Sequence, residues 1–435
     1  MKGINQFIER PIETQQRVLF SLLSQAKNTE YGKLHHFEEI KSYEDFNKQV
    51  PIVSYEDFEP FIEKARQGNP DVFWPGKIKH FAKSSGTTNA KSKFIPISDE
   101  SLQNCHYKAG KDLLAIYINN HRDSNLFKFK NLRLGGSAEL YESFGTKFGD
   151  LSAILIENLP FWVERTTTPS REVSLMSEWE TKLKAIVSEV KNKDVGSLTG
   201  VPSWMMVLLQ RVLKDTGKKS ISEVWPNLEV FFHGGISFVP YREQYKPLIG
   251  RDIRYYEIYN ASEGFFGIQD RFGSDEMLLM LDYGIFYEFI PMDTFGTENA
   301  KAVSLENVEL GKNYAVVITT NGGLWRYLIG DTIRFTDLKP FRFKISGRTK
   351  HYINAFGEEL MIDNVEAALS KACQETNAKI TDYTGAPVYM KDGESGSHEW
   401  MIEFSTEPND FGRFSEIFDE TLKSLNSDYE AKRYN

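Results

Sequence analysis

Apolar positions recur at helical spacing in some stretches and as short unbroken runs in others, and the two patterns alternate from end to end. Residues 11–26, PIETQQRVLFSLLSQA, open on a proline and set Val18, Leu19, Leu22 and Leu23 along one stripe, which predicts an amphipathic helix. Residues 202–217, PSWMMVLLQRVLKDTG, predict another, with Ser203 near its start and Gly217 as its stop. Apolar runs bounded by small polar residues read as buried strands. They are 228–232 before His233-Gly234-Gly235, 253–259 before Asn260-Ala261-Ser262-Glu263-Gly264, and 314–320 before Asn321-Gly322-Gly323. Residues 324–335, LWRYLIGDTIRF, read as strand, turn at Gly330-Asp331, then strand. Residues 343–354 break at Ser346-Gly347, and Asp363 is placed to cap a helix carrying Val365, Leu369 and Ala372 on one stripe. The alternation predicts an α/β protein, a large N-terminal domain over 1–346 followed by a smaller α+β C-terminal domain over 347–435.

Composition removes functions more than it adds any. The 435 residues are 40% hydrophobic and 26% charged, as in a soluble globular chain with a large core. Phenylalanine and tyrosine number 31 and 20, which predicts well-filled cores and lined pockets. A net charge of −9 repels nucleic acid and anionic membranes, so neither is expected as a main partner, although a local basic pocket is compatible with it. Cys105 and Cys373 lie far apart without a CxxC pattern, so no disulfide framework or zinc ribbon is expected. With no secretory leader at the N-terminus and no long apolar run, the expected location is the cytoplasm.

The familiar phosphate-loop, dinucleotide and nucleophile-elbow patterns are missing, and the eight histidines are scattered. Other stretches carry candidate chemistry. Residues 83–93, KSSGTTNAKSK, gather the hydroxyls of Ser84, Ser85, Thr87 and Thr88 around Gly86, with Lys83, Lys91 and Lys93 beside them. Hydroxyls, loop N–H groups and compact cations suit phosphates; a polar surface turn has the same composition. YNASEG at 259–264 follows a strand, where Glu263 could hold Mg²⁺ or, alternatively, Ser262 could cap a helix. YLIGD at 327–331 sets Asp331 where it could accept two ribose hydroxyls, or simply close a hairpin. Arg348 could reach a ribose or phosphate, or pair at the surface.

Taken together, SSGTT at 84–88, YNASE at 259–263 and YLIGD at 327–331 resemble the three motifs of the acyl-acid amido synthetases of the auxin-responsive family, within the adenylate-forming superfamily. LTGVPSW at 198–204, FHGGISFVPY at 232–241 and SGRTKHYINAFGEE at 346–359 are similar to further segments of that family, in the same order. The resemblance implies ATP and Mg²⁺ as cofactors, and a carboxylic acid and an amino acid as substrates. The acid would be adenylated with release of pyrophosphate, and the amine would then displace AMP to form an amide. It also implies roles. Ser84, Ser85, Gly86, Thr87 and Thr88 hold phosphates, with Ser85 and Glu263 catalytic and Glu263 the metal ligand. Ser262 contacts the nucleotide, Gly235 and Tyr259 lie beside the adenine, and Asp331 holds the ribose. Arg348 marks a hinge at 347–350, and Thr199, Gly200 and Val201 border the acyl pocket.

Two departures from the family pattern stand out. Ala90 occupies a position usually held by glycine. The family also continues past SDYEAKRY into a segment with a Gly-Gln and a lysine that aids adenylation, so the smaller domain is expected to be incomplete, whether by truncation or with impaired adenylation. Two alternatives remain open on sequence grounds: an acid–thiol ligase using CoA, and a nucleotide-binding relative without turnover. The oligomeric state is left undetermined by the sequence.

Overall fold

Twelve strands pair into one mixed sheet, and its pattern changes at the strand Arg254–Ala261. On one side Arg254–Ala261, Val230–Gly234, Val195–Gly200, Lys130–Arg133 and Thr167–Thr168 run parallel. On the other, Gly264–Ile268, Met277–Leu279, Phe341–Arg348, Tyr327–Leu338, Asn313–Thr320, Ile285–Pro291 and Val303–Ser304 are antiparallel. A second sheet of four strands sets His80–Ser84 parallel to Thr146–Gly149. The structure, a computed structural model, describes residues 1–84, 93–135, 140–239, 241–349, 352–353, 355–356, 358, 360–390 and 396–433, and the counts refer to these.

The parallel strands are unbroken apolar runs because both of their faces are covered. Phe231 points into a core with the helices Trp179–Val190 and Pro202–Thr216, while its neighbour Phe232 joins the core beneath the N-terminal helices. A separate core joins the helices Ile362–Thr376 and Phe411–Leu425 to the hairpin Lys379–Val388 and Ser397–Thr406.

The predicted helices form at Pro11–Ala26, burying Leu19, Leu22 and Leu23, and at Pro202–Thr216, where Gly217 takes φ +67°. On the first helix, buried Gln15 donates to the carbonyls of Leu281 and Ile285, both at 2.9 Å, and accepts from the Tyr287 N–H. Three expectations need correction. Gly330-Asp331 is not a turn, because Tyr327–Leu338 is one strand. Opposite it, the register of Asn313–Thr320 slips between Ala315 and Val317, so Ile329, Gly330 and Asp331 bulge out of the ladder, and Gly330 supplies φ +90°. Nor does the chain break at Ser346-Gly347, since Phe341–Arg348 continues as a strand with a register shift there. The helix predicted near Asp363 begins at Ile362, so Asp363 lies inside it rather than capping it, and Val365, Leu369 and Ala372 form the buried stripe.

A buried ion pair fastens the helical layer to the sheet. Arg326 and Glu288 meet through two hydrogen bonds of 2.9 and 2.8 Å, with side chains only 3% and 1% exposed. The remaining guanidinium donors reach the carbonyls of Asn47 and Val50 and the side chain of Asn47. Tyr43 donates to Glu288 at 2.9 Å. Breaking such a pair from one side leaves a buried charge uncompensated. Arg326→Met is therefore expected to cost about 3–5 kcal/mol. Urea unfolding checks this, and a variant unfolding within about 1 kcal/mol of the parent would show that the pair does not carry this layer.

Candidate functional site

The carboxyl ends of the parallel strands open on one side of the sheet, where α/β proteins bind ligands. Val195–Gly200 ends in Thr199 and Gly200, with Val201 preceding the helix Pro202–Thr216. Val230–Gly234 leads into Gly235, whose φ of +84° turns the chain. Arg254–Ala261 returns as Gly264–Ile268 through Ser262 and Glu263 alone, with Ala261 opposite Gly264. YNASEG is thus a two-residue hairpin, not a helix start, and it holds Glu263 at the carboxyl end of the strand Arg254–Ala261.

Asp331 reaches the same place from the antiparallel half. The bulge at Gly330 frees it from the ladder on one side, while on the other it pairs in register with Arg348. Arg348 Nε lies 2.7 Å from Asp331 Oδ1, and the buried Tyr259 hydroxyl donates to Asp331 Oδ2. Burial, then the Asp331 charge, pushes the Tyr259 hydroxyl pKa well above its ordinary value, so it stays a donor. Thr349 N–H donates to the Gly330 carbonyl at 2.8 Å and pins the end of the neighbouring strand.

These residues converge on one cleft of about 1290 Å³. Ser84, Gly235, Tyr259, Ser262, Glu263, Asp331 and Arg348 all line it. Thr199, Gly200 and Val201 stand beside the cleft rather than on its wall; a Cβ on Gly235 would come within 3.3 Å of the Val201 side chain, so the two loops touch. Ser85, Gly86, Thr87 and Thr88 lie outside the described residues. Eight lysine or arginine side chains and seven acids line the cleft. Against a chain with 52 basic and 61 acidic residues, that makes it locally the more basic region. No cluster of three potential metal ligands exists among the described residues; Glu263 is one of seven cleft acids that could hold a divalent ion together with substrate oxygens.

Residues that sequence reasoning passed over also line the cleft. Asp150, Asp428 and Lys432 come from segments remote from the motifs, and no local signal marks them. Tyr255, Glu257 and Phe238 form a further wall, where the His233 ring stacks on Phe238 at 4.2 Å. Burial, and secondarily Arg242, lowers the His233 pKa to about 3, so that ring is neutral.

The fold is the α/β fold of the adenylate-forming enzymes. It aligns with an acyl acid amido synthetase, AtGH3.15, solved in complex with 2,4-DB, at a TM-score of 0.68 and 18% identity, covering 97% of this chain and 84% of that one. It aligns with 2-hydroxyisobutyryl-CoA ligase at 0.61 and 15%, covering 96% and 84%. The chain belongs to the GH3 family, matching the family's N-terminal domain over residues 1–253, its central domain over 278–348 and its C-terminal domain over 363–435. Similar curated proteins include indole-3-acetic acid-amido synthetase GH3.2 of Arabidopsis thaliana, 23% identical, with 88% of this chain and 83% of that protein covered. Another is jasmonoyl-L-amino acid synthetase JAR6 of Nicotiana attenuata, 27% identical, with 74% and 66% covered.

One cleft carboxylate gives a pH signature. Burial, then repulsion from Asp275, raises the Glu257 pKa from 4.5 to about 6, with Arg242 opposing. Between those values the unfolded chain holds fewer protons than the folded one, so this group's contribution to stability is lost as pH rises through the window. Glu257→Gln removes that loss. Its thermal midpoint, relative to the parent's, is expected to rise between pH 4.5 and 6 and then level off. A difference that does not change with pH would refute the assignment.

Proposed function

We propose that this chain joins a carboxylic acid to an amino acid through an acyl-adenylate, using ATP and Mg²⁺ and releasing pyrophosphate and AMP. The observation that carries the reading is the Asp331–Arg348–Tyr259 arrangement on the same cleft as Glu263 and Ser84. Asp331 lines the cleft as a carboxylate held in place by Arg348 and Tyr259, the acceptor type that ribose hydroxyls need. Gly235 and Tyr259 then flank the base, and Ser262 touches the nucleotide. Lys83 and Lys93, at either end of segment 85–92, supply cations for the phosphates, with Ser84 and Ser85 donating to phosphate oxygens.

Glu263 would hold Mg²⁺, which offsets the charge that builds up on the α-phosphate as the acid attacks. The protein needs no nucleophile for this step: its task is to orient the acid and the α-phosphate in line and to supply fixed donors. Thr199, Gly200 and Val201, touching the Gly235 loop, suit the acyl side. The separate core within residues 347–435 suits a smaller domain that moves between the two steps about 347–350. Cys105 and Cys373 are unpaired, and no helix among the described residues is long and apolar enough to cross a membrane. Both features are compatible with a cytoplasmic enzyme.

The test is pyrophosphate exchange with MgATP across a panel of acids that includes indole-3-acetate, jasmonate and benzoate, followed by amide formation with amino acids. At least one acid is expected to support exchange. Glu263→Gln and Asp331→Ala are expected to lower it by about 10²-fold or more. Thioester formation with CoA in place of amide would move the chain to the acid–thiol ligases. A folded chain that binds MgATP but exchanges with no acid would count against the reading.

A further inference from the structure

Along the strand Lys130–Arg133 side chains alternate between the two faces of the sheet. Leu132 enters the core with the helices Trp179–Val190 and Pro202–Thr216, so Asn131 and Arg133 face the other way. Asn131 is satisfied there, donating to the hydroxyls of Ser197 at 2.9 Å and Thr199 at 3.0 Å. The Arg133 guanidinium is not. Arg133 stands opposite Thr199 in the parallel register and is half-buried. Its Nε is sealed from water without an acceptor, and no hydrogen bond or ion pair joins the guanidinium to any described residue. Tyr107, on the helix Tyr107–Asn120, neighbours it and donates to the Leu155 carbonyl at 2.9 Å, on the helix Leu151–Glu157. The chain then runs on to the cleft. A Cβ on Gly200 would come within 3.0 Å of the Leu134 carbonyl, and one on Gly135 within 3.2 Å of Ser152, which lines the cleft wall. An unpaired guanidinium thus sits beside the Thr199–Val201 loop and the cleft-lining helix.

We propose that Arg133 selects the acid: it pairs with a second carboxylate of the substrate, so the acids that this chain adenylates are dicarboxylic. The inference rests on the adenylating reading, with Thr199, Gly200 and Val201 on the acyl side. A guanidinium presents paired N–H groups that match the two oxygens of a carboxylate. Left without a partner, a buried guanidinium is costly. Burial lowers the Arg133 pKa from 12.5 to about 10, with Tyr107 and then Glu164 opposing, so the group is still a cation at neutral pH. Neither neighbour neutralises it. Glu164 is engaged by Arg171 at 3.8 Å and forms no ion pair with Arg133. The Tyr107 hydroxyl is spent on Leu155, and burial raises its pKa to about 12, so it carries no charge of its own. A plain aryl or fatty acid would leave the guanidinium unpaired, whereas a dicarboxylic acid supplies the missing anion.

The two carboxylates of the substrate divide the work. An oxygen of the first forms the bond to the α-phosphorus, and the bond from that phosphorus to the bridging oxygen breaks with its electrons leaving on pyrophosphate. No proton moves. The second carboxylate does not react. Held by Arg133, it fixes which end of the acid meets the nucleotide and keeps the reacting oxygen in line.

The test is pyrophosphate exchange by the full chain with MgATP, over the straight-chain diacids from succinate to sebacate and the phthalates. Each is run beside its monomethyl ester, with benzoate as the monocarboxylic reference. At least one diacid is expected to show a kcat/KM about tenfold or more above that of its ester, the difference lying in KM, since a hydrogen bond between charged groups is lost in the ester. Arg133→Met is expected to lower that diacid-to-ester ratio by about tenfold, and Arg133→Lys to restore part of it, with MgATP binding confirming the fold of each variant. Equal exchange with diacid and ester on the parent overturns the proposal, a comparison that stands even if no variant folds. So does an unchanged ratio in Arg133→Met, including the case in which both acids slow to the same extent, as a purely structural pairing with Glu164 would give. A parent that exchanges with benzoate but with no diacid overturns the dicarboxylate class alone, whereas a parent that exchanges with no acid strikes the adenylating reading beneath it.

Discussion

A guanidinium sealed from water has five N–H groups to satisfy, and Arg326 satisfies all five with groups from two layers of the protein. Few arrangements of the N-terminal helices against the sheet can meet that demand, so the pair with Glu288 fixes their relation closely. Its position in the chain gives it reach. Tyr327 follows at once, bridges to Val53 across the layer boundary, and begins the stretch that ends in Asp331. The ribose candidate therefore stands five residues beyond this buried guanidinium. Strain or slack at Arg326 would pass along one strand into the cleft.

From that anchor the cleft is assembled out of three kinds of backbone. A bulge frees Asp331 from the ladder, a two-residue hairpin carries Glu263, and a positive-φ glycine turns the chain at Gly235. Each is a local departure from regular pairing, and each occurs where a side chain must face a ligand rather than a neighbouring strand. The charges follow the same division. The chain as a whole carries a net charge of −9, while the cleft lining has eight cations against seven acids, so any attraction for phosphates is local to the cleft.

Much of this was legible in the sequence. Apolar stripes located the helices Pro11–Ala26 and Pro202–Thr216, and apolar runs located the strands to within a residue or two. Ser84, Gly235, Ser262 and Glu263 line one cleft because each stands at or just past a strand end marked by small polar residues, whereas Asp331 reaches it from the middle of a strand. The reading failed where glycine has two meanings. Gly330-Asp331 has the composition of a turn, and only pairing with a distant strand makes it a bulge. Asp150, Asp428 and Lys432 left no signal, since an acid before a short helix and charges on a polar helix are ordinary. Their significance comes from meeting in space, which no local pattern encodes.

The wall of the cleft is made from both ends of the chain, with Ser84 and Asp150 contributed early and Asp428 and Lys432 late. Synthesis runs from the first to the last, and domains fold broadly in that order. A nascent chain on the ribosome can thus acquire the sheet, the Asp331 bulge and the Arg326 anchor while one side of its binding recess is still untranslated. Any early ligand would meet an open trough, and the chamber would close around it only when the helix Ser427–Lys432 arrives.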